Sequence, residues 1–297
     1  MALQAITGIL LLDKPAGRSS HAALQAAKTV FQAAKAGHTG SLDPLATGLL
    51  PICFGEATKI AGVLLGARKG YEAVFALGTQ TDSDDADGAI MRQRPVPPLQ
   101  QACIDRVTAR FIGTLTQQAP VYSALKHCGE PLYRRARRGE NPTAPIRTVH
   151  IDSIEVVDWT QSALRVRVVC SAGTYIRSLA RDIGKAIGCG AHVAWLRRLW
   201  VDPFRTPTLV TLTELTQANA QGRADRLLLP LAAGLSQLPG VFLDEVRLQR
   251  FNHGQRLHDA AFPLGQVVVY RASDRSPAGL AYVDPHSVLA SQRRFNV

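Results

Sequence analysis

The sequence predicts an α+β protein with a small β unit at its C-terminal end, on three observations. Stretches such as 71–77 and 164–168 place apolar residues at every second position, as a strand does: Tyr71, Ala73, Phe75 and Leu77, then Leu164, Val166 and Val168. Other stretches have helical spacing, among them Leu99, Cys103, Val107 and Phe111, and Ile176, Leu179, Ala180, Ile183 and Ile187. From residue 241 onward, short apolar runs at 267–270 and 280–283 are split by turns, so a main domain is expected over 1–240 and a second over 241–297.

Residues 8–15 read as a buried strand ended by Pro15. Ser19 and Ser20 are N-cap candidates for a helix to about residue 34, with Leu24, Ala27, Val30 and Phe31 on one face. A loop over 37–48 leads to a short strand at 49–54 and a helix at 56–65. Residues 69–78 read as a half-buried strand with Tyr71 at its start, where a side chain can face a cleft. The acidic run 81–88 is tempting as a calcium loop. Begun at Ser83, however, its twelfth position is Arg94 instead of glutamate, so a solvated turn is expected. A helix is expected over 98–111, and 148–159 pairs with 163–170 as strands, with Arg165 and Arg167 giving the second one a basic face. Thr174 is the cap expected for the helix that follows, and Arg177 and Arg181 fall off its apolar stripe, where a solvated pair is the default. Residues 202–240 read as closing helices and a connector.

Length allows one large domain with an appendage. A hydrophobic content of 46% is ample for a core, and no stretch approaches the roughly 20 uninterrupted apolar residues that span a bilayer. The first residues show no basic-then-apolar signal peptide. Cys53, Cys103, Cys128, Cys170 and Cys189 are odd in number and lack a C-x-x-C pair, which suggests neither a disulfide framework nor a zinc site and fits a reducing cytoplasm. A net charge of +11 implies a polyanionic partner. Without a basic amphipathic helix carrying aromatic anchors, nucleic acid is a better choice than a membrane surface.

Within the 37–48 loop one histidine and one carboxylate, His38 and Asp43, stand among turn-forming residues, and Pro44 biases the backbone of Asp43. On spacing alone, Asp43 could simply close the turn Asp-Pro-Leu-Ala. The whole segment GHTGSLDPLATGLLPICFGEATKI, 37–60, resembles the signature of the TruB family of tRNA pseudouridine synthases, in which the aspartate is the catalytic nucleophile. Further segments are similar to that family. Lys69 and Tyr71 match K-x-Y, which carries an active-site tyrosine, and Gly173–Arg177 match G-T-Y-I-R letter for letter. Residues 188–193 and Leu196-Arg197-Arg198 match the continuation. The acidic run departs mildly, with Ser83 for a threonine, and Ala119 stands where Q-x-P-P-x-x-S-A-x-K has its first proline, which leaves the local backbone less rigid.

The resemblance implies a pseudouridine synthase catalytic domain on a bent, mainly antiparallel mixed sheet with flanking helices, plus a small PUA-like RNA-binding domain. It implies Asp43 as nucleophile, Arg177 as its ion-pair partner, and Tyr71 stacked on the target uracil as wall, base or proton carrier. Tyr175 and Leu196 would be further pocket walls, and His38 would fill the gap left by the flipped nucleotide. Lys126, Arg134, Arg135, Arg137 and Arg138 would grip RNA from a basic loop over about 120–147 that orders on binding; a solvated charge run is the plain alternative. The implied reaction converts the uridine at position 55 of the tRNA T-loop to pseudouridine. It breaks a glycosidic bond, turns the base and rejoins C5 to the same sugar, with no metal or redox cofactor. The implied partner is the tRNA T-stem-loop, with no obligate protein partner and a monomeric enzyme in the cytoplasm. The rival readings are a non-catalytic tRNA-folding chaperone, which has no use for a nucleophile, and a glycosidase of free nucleosides, which has no use for this charge. A tRNA-folding role could also accompany catalysis.

Overall fold

The computed structural model describes residues 4–123, 125–127, 130–140 and 142–296; the side chains of Lys126, His127, Pro131, Tyr133 and Arg137 fall outside that description, and so do two of the expected RNA contacts, Lys126 and Arg137. In chain order the elements are β1 (Gly8–Lys14), α1 (Ser20–Val30), β2 (Ala36–His38), β3 (Thr47–Phe54), a 3-10 segment (Gly55–Ile60), α2 (Ala61–Gly66), β4 (Lys69–Leu77), β5 (Thr79–Thr81), β6 (Ile90–Gln93), α3 (Gln101–Ala109) and β7 (Gly113–Gln118). Then follow β8 (Lys126–His127), β9 (Glu130–Pro131), α4 (Leu132–Arg137), β10 (Ile146–Trp159), β11 (Ala163–Cys170), α5 (Ile176–Ile187), β12 (Ala191–Val201) and α6 (Leu212–Ala220). Two more 3-10 segments precede β13 (Gly240–Leu243), α7 (Glu245–Asn252), β14 (Leu257–His258), β15 (Gly265–Arg271), β16 (Pro277–Val283) and β17 (Val288–Arg294).

One eight-stranded sheet, ordered β1-β3-β12-β4-β11-β10-β7 with β2 paired to β3, forms the body. Its ladders are antiparallel except β12 against β3, which makes the sheet mixed. The long strand β12 is not evident in the sequence, because Arg197 and Arg198 interrupt its apolar pattern. It nevertheless sits at the centre, between β3 and β4.

β4 is flanked on both edges, and its residues are buried on both faces rather than one. Ala73, Phe75 and Leu77 pack with Ile176, Leu179, Ile183 and the α3 residues Ile104 and Val107. Glu72 faces the other way and is also buried, because Arg165 and Arg167 of β11 clamp its carboxylate, Arg165 Nε on Oε1 at 2.8 Å and Arg167 Nε on Oε2 at 3.0 Å. The expected half-buried strand is therefore a central one whose polar face is closed by ion pairs.

At the other end of the sheet α1 and α6 cover Leu10, Leu12, Leu50 and Ile52. Ser19 caps α1 by accepting the Ala22 N–H at 3.1 Å, and the helix stops at Val30, earlier than its apolar pattern suggests. The opposite face, Ile9, Leu11, Leu49 and Cys53, joins Val268, Leu280 and Phe295 of the five-stranded C-terminal sheet in one cluster. That second sheet runs β13-β15-β16-β17-β14 and starts at Gly240. The two sheets thus share a core, and α7 is a helix inside what reads from sequence as a purely β unit.

Candidate active site

The segment between β2 and β3 carries Asp43. Its apolar residues anchor it: Leu42 and Ala46, on either side of Asp43, are buried in the cluster that holds Tyr71, Ala73, Ile176 and Leu196. Burying one leucine contributes about 2 kcal/mol. The backbone is pinned as well. Ser20 at the start of α1 accepts the Leu42 N–H at 2.7 Å and donates to the Leu42 carbonyl at 3.0 Å. Lys14, wholly buried, donates to the carbonyls of Pro15, Arg18 and Pro44 at 2.8, 2.6 and 3.2 Å. The turn Asp43-Pro44-Leu45-Ala46 is closed by Ala46 N–H on the Asp43 carbonyl at 3.1 Å, which leaves the carboxylate free to point elsewhere.

It points at Arg177. Nη2 of Arg177 donates to Asp43 Oδ1 at 2.9 Å, and Nε lies 2.9 Å from Oδ2, out of line for a hydrogen bond. The guanidinium is fixed on its other sides by the Ser83 and Tyr122 carbonyls, both at 2.9 Å, and by Asp85 Oδ2 at 3.3 Å. Arg177 is 3% exposed and the Asp43 side chain 33%, so the arginine is structural ground and the carboxylate faces the opening. Two sequence expectations are corrected here. Arg177 and Arg181 are not a solvated pair: Arg181 binds Asp84 at 3.0 Å and the Gln118 carbonyl at 3.0 Å. Nor is 81–88 a solvated turn, since Thr81, Ser83 and Asp85 are buried, and Asp84 and Asp85 receive the two arginines that stand one turn apart on α5. No cluster of metal-ligating side chains occurs among the described residues.

Burial pushes the Asp43 carboxyl above its ordinary range; Arg177 opposes that push and Asp85 adds to it. Tyr71, on β4, is buried, and burial raises its phenol, with Arg198 pulling the other way, so the ring is a neutral phenol in the resting protein. His38, at the end of β2, is partly buried with its Nδ1 unpartnered, and burial followed by the charge of Arg198 lowers its pKa, favouring the neutral imidazole. Lys14 and Lys69 are both brought down to about 8, by burial first.

Tyr175 stands at the N-cap position of α5, whereas the expected cap is Thr174. Neither side chain caps the helix. Instead Gln117 of β7 accepts the Tyr175 N–H at 2.8 Å and donates to its carbonyl at 3.0 Å, a pairing that holds the start of α5 and hence Arg177. Tyr175 packs against the small cluster of Ala119, Leu132 and Ala144, with the Arg147 guanidinium 5.8 Å from its ring centroid. Ala119, in the position of the expected proline, donates its N–H to the Pro145 carbonyl at 3.1 Å, a bond proline could not make, so this departure ties the segment down. Leu196 lies on β12 opposite Ala73, buried beside Tyr71.

Asp43, Tyr71, Arg177 and Leu196 therefore converge, with Tyr175 at the root of the Arg177 helix. The arginine segment is separate. It includes the short helix α4, and its charges are partly met within the chain: Arg135 pairs with Glu140 at 2.6 Å, and Arg138 with Glu130 at 2.5 Å and Glu140 at 2.8 Å, while Arg134 is exposed. Glu130 and Glu140 thus meet the charges of two of these arginines, Arg135 and Arg138. A cavity of about 700 Å³ lined by Lys59, Asn252, Arg293 and Arg294 lies where the C-terminal sheet meets the 3-10 segment after β3, apart from Asp43. Sequence reasoning missed Lys14, Ser20, Asp85, Gln117 and Arg198, each of which acts through contacts 22 or more residues away, or through backbone groups, that spacing does not reveal.

The chain matches three family models end to end: TruB family pseudouridylate synthase (N terminal domain) over 28–176, tRNA pseudouridylate synthase B C-terminal domain over 177–236, and Pseudouridine synthase II TruB, C-terminal, over 239–295. It is 59% identical over 290 residues to the tRNA pseudouridine synthase B of Xanthomonas campestris pv. campestris (strain B100), covering 97% of this chain and 94% of that one. It is 54% identical to the protein of the same name from Xylella fastidiosa (strain Temecula1), covering 98% and 97%. Among solved structures, a Cbf5-Nop10-Gar1 complex contains a chain that superposes with a TM-score of 0.77 at 26% identity, covering 97% of this chain and 84% of that chain. A chain of an H/ACA RNP bound to a substrate RNA containing 2'-deoxyuridine gives 0.76 at 25% identity, covering 98% and 85%.

Proposed function

The chain belongs to the TruB family of pseudouridine synthases, and we propose that it isomerises a uridine of tRNA to pseudouridine, the uridine at position 55 of the T-loop. The observation that carries this reading is the partly exposed, ionisable Asp43 carboxylate, aimed by a buried guanidinium that is itself held by Ser83, Tyr122 and Asp85. A passive RNA binder has no use for such an arrangement.

In this reading the target nucleotide leaves its stack and enters between Tyr71 and Leu196, an extrusion that costs a few kcal/mol and is offset by stacking. His38, neutral and partly buried, fills the vacated space. Asp43 attacks or stabilises the sugar or base while the C1′–N1 bond breaks. The uracil turns, a C1′–C5 bond forms, and the proton on C5 is lost as N1 gains one, so product and substrate have the same atoms and no electrons are exchanged. Arg177 keeps the carboxylate ionised and aimed against the upward push of burial. Tyr71 stacks as a neutral phenol and can take the C5 proton only after giving up its own. Arg135 and Arg138 exchange their glutamate partners for RNA phosphates, an easy exchange because exposed ion pairs contribute little, and the exposed Arg134 joins them. The C-terminal sheet adds RNA contacts, and one copy of the chain suffices.

The test is to incubate the purified protein with an unmodified tRNA transcript and map pseudouridine by carbodiimide adducts and primer extension. A single stop appearing at position 55 supports the proposal. Stops only at other uridines would remove the T-loop assignment, and no stop anywhere would remove the catalytic one.

A further inference from the structure

Two arginines stand side by side on β12 and have opposite fates. Arg197 faces Asp13 and forms an ordinary two-pronged ion pair, Nη1 to Oδ1 at 3.1 Å and Nη2 to Oδ2 at 2.8 Å. Arg198 is 1% exposed and, among the ion pairs of the described residues, has none. Burying a guanidinium on neutral partners alone is unfavourable, so its surroundings should show what is gained.

Those surroundings are the two ends of the Asp43 loop. Arg198 Nη2 donates to the Gly40 carbonyl at 3.1 Å and Nε to the Leu49 carbonyl at 2.7 Å, so one planar group spans the segment between β2 and β3 where it leaves and rejoins the sheet. The backbone approach is tight at Gly48, whose φ is +98° and where a Cβ would lie 2.2 Å from the Arg198 carbonyl oxygen, while the guanidinium is in ordinary contact distance of Gly40, where a Cβ would lie 3.6 Å from Nη1. Across the strand pair Arg198 is in register with Tyr71. Its positive charge acts on the Tyr71 phenol and on His38.

We infer that Arg198 is a positioning residue that locks the Asp43 loop to Tyr71, so that nucleophile and base-facing ring keep one fixed spacing when RNA enters. The inference rests on the proposed function and assigns to a residue outside the Asp43–Arg177 pair the geometry that pair needs. A lysine does not reproduce it, because the Leu49 and Gly40 carbonyls are met by two different nitrogens, Nε and Nη2, held in one rigid plane, and an ammonium has no such fork.

The experiment measures single-turnover pseudouridine formation and filter-binding affinity for wild type, Arg198→Lys, Tyr71→Phe and the double variant, with melting followed by circular dichroism. Loss of fixed geometry costs about 100-fold in rate. Arg198→Lys should lose about that much while tRNA affinity stays within about threefold, and the double variant should be no slower than the slower single variant, because both changes break one unit. A normal rate for Arg198→Lys, or losses that multiply in the double variant, overturns the inference. Should Arg198→Lys not fold, the wild-type protein still decides the matter by NMR. A slowly exchanging Arg198 Nε–H agrees with the bond to Leu49, and one exchanging as fast as a surface arginine overturns it. Wild-type turnover separates the two levels: no product from wild type overturns the proposed function and this inference with it, whereas normal wild-type turnover beside a fully active lysine variant overturns the inference alone.

Discussion

Replacing Arg177 with lysine keeps the positive charge and removes the fork. The guanidinium makes three hydrogen bonds, to Asp43 Oδ1, Ser83 O and Tyr122 O, all at 2.9 Å, and has a further contact to Asp85 at 3.3 Å. Nη1 serves Ser83 and Asp85 while Nη2 serves Asp43 and Tyr122, and a lysine has no rigid two-nitrogen fork to hold both sets in place, so part of the set is lost. A hydrogen bond involving a charged group is worth about 1.5–3 kcal/mol. If the bond to Asp43 is kept at the expense of the others, the loss falls on stability, by about that amount. If the floor is kept, Asp43 is left unaimed and the same energy appears in the barrier, a rate loss of about 10- to 150-fold. Because Arg177 is buried beneath the carboxylate, RNA cannot reach it, and affinity should change by less than about threefold. Single-turnover rate beside filter binding reads both quantities at once. A lysine variant that binds poorly but turns over its bound RNA at the wild-type rate would refute this reasoning and make Arg177 a phosphate contact.

With saturating RNA, the single-turnover rate should fall on the acid side with a midpoint above the ordinary aspartate value, because burial raises the Asp43 carboxyl and, in the proposed mechanism, only its ionised form serves the reaction; a midpoint at or below that value would contradict the direction. Alanine at Arg134, Arg135 and Arg138 together should flatten the dependence of log affinity on log salt, by about 0.7–0.9 for each phosphate no longer neutralised, and an unchanged slope would make α4 a surface helix with internal ion pairs only. Ending the chain at residue 239 removes Val268, Leu280 and Phe295 from the cluster they share with Ile9, Leu11 and Leu49. The shortened protein should therefore melt lower or aggregate, and a truncation as stable as the full chain would show that the shared core contributes nothing.

The parts legible in the sequence are those set by local pattern. Alternation marks β4 and β11, helical spacing marks α5, and Ser19 marks the start of α1, since each depends on residues a few positions apart. The Asp43 loop is legible through its resemblance to a family, and Arg177 through the motif that carries it. What the sequence hides is long-range and electrostatic. Asp85 sits in an acidic run that looks solvated, yet it is buried because Arg177 arrives from α5 to meet it. Gln117 is an ordinary strand residue until Tyr175 is placed beside it. β12 is masked because two arginines break its pattern, and one of these, Arg198, is buried where an apolar residue would fit the period, so the interruption itself marks the clamp on the loop.

The most direct test of the account uses tRNA carrying tritium at C5 of the single uridine at position 55. Forming the C1′–C5 bond requires that hydrogen to leave, so tritium release reports the isomerisation itself. Wild-type protein should release the label to completion, and Asp43→Asn, which keeps the size of the side chain and loses its charge, should release none while binding the tRNA within a few-fold of wild type. Release by the asparagine variant at a tenth of the wild-type rate or faster would contradict the assignment of Asp43, and retention of the label by the wild-type protein would contradict the function.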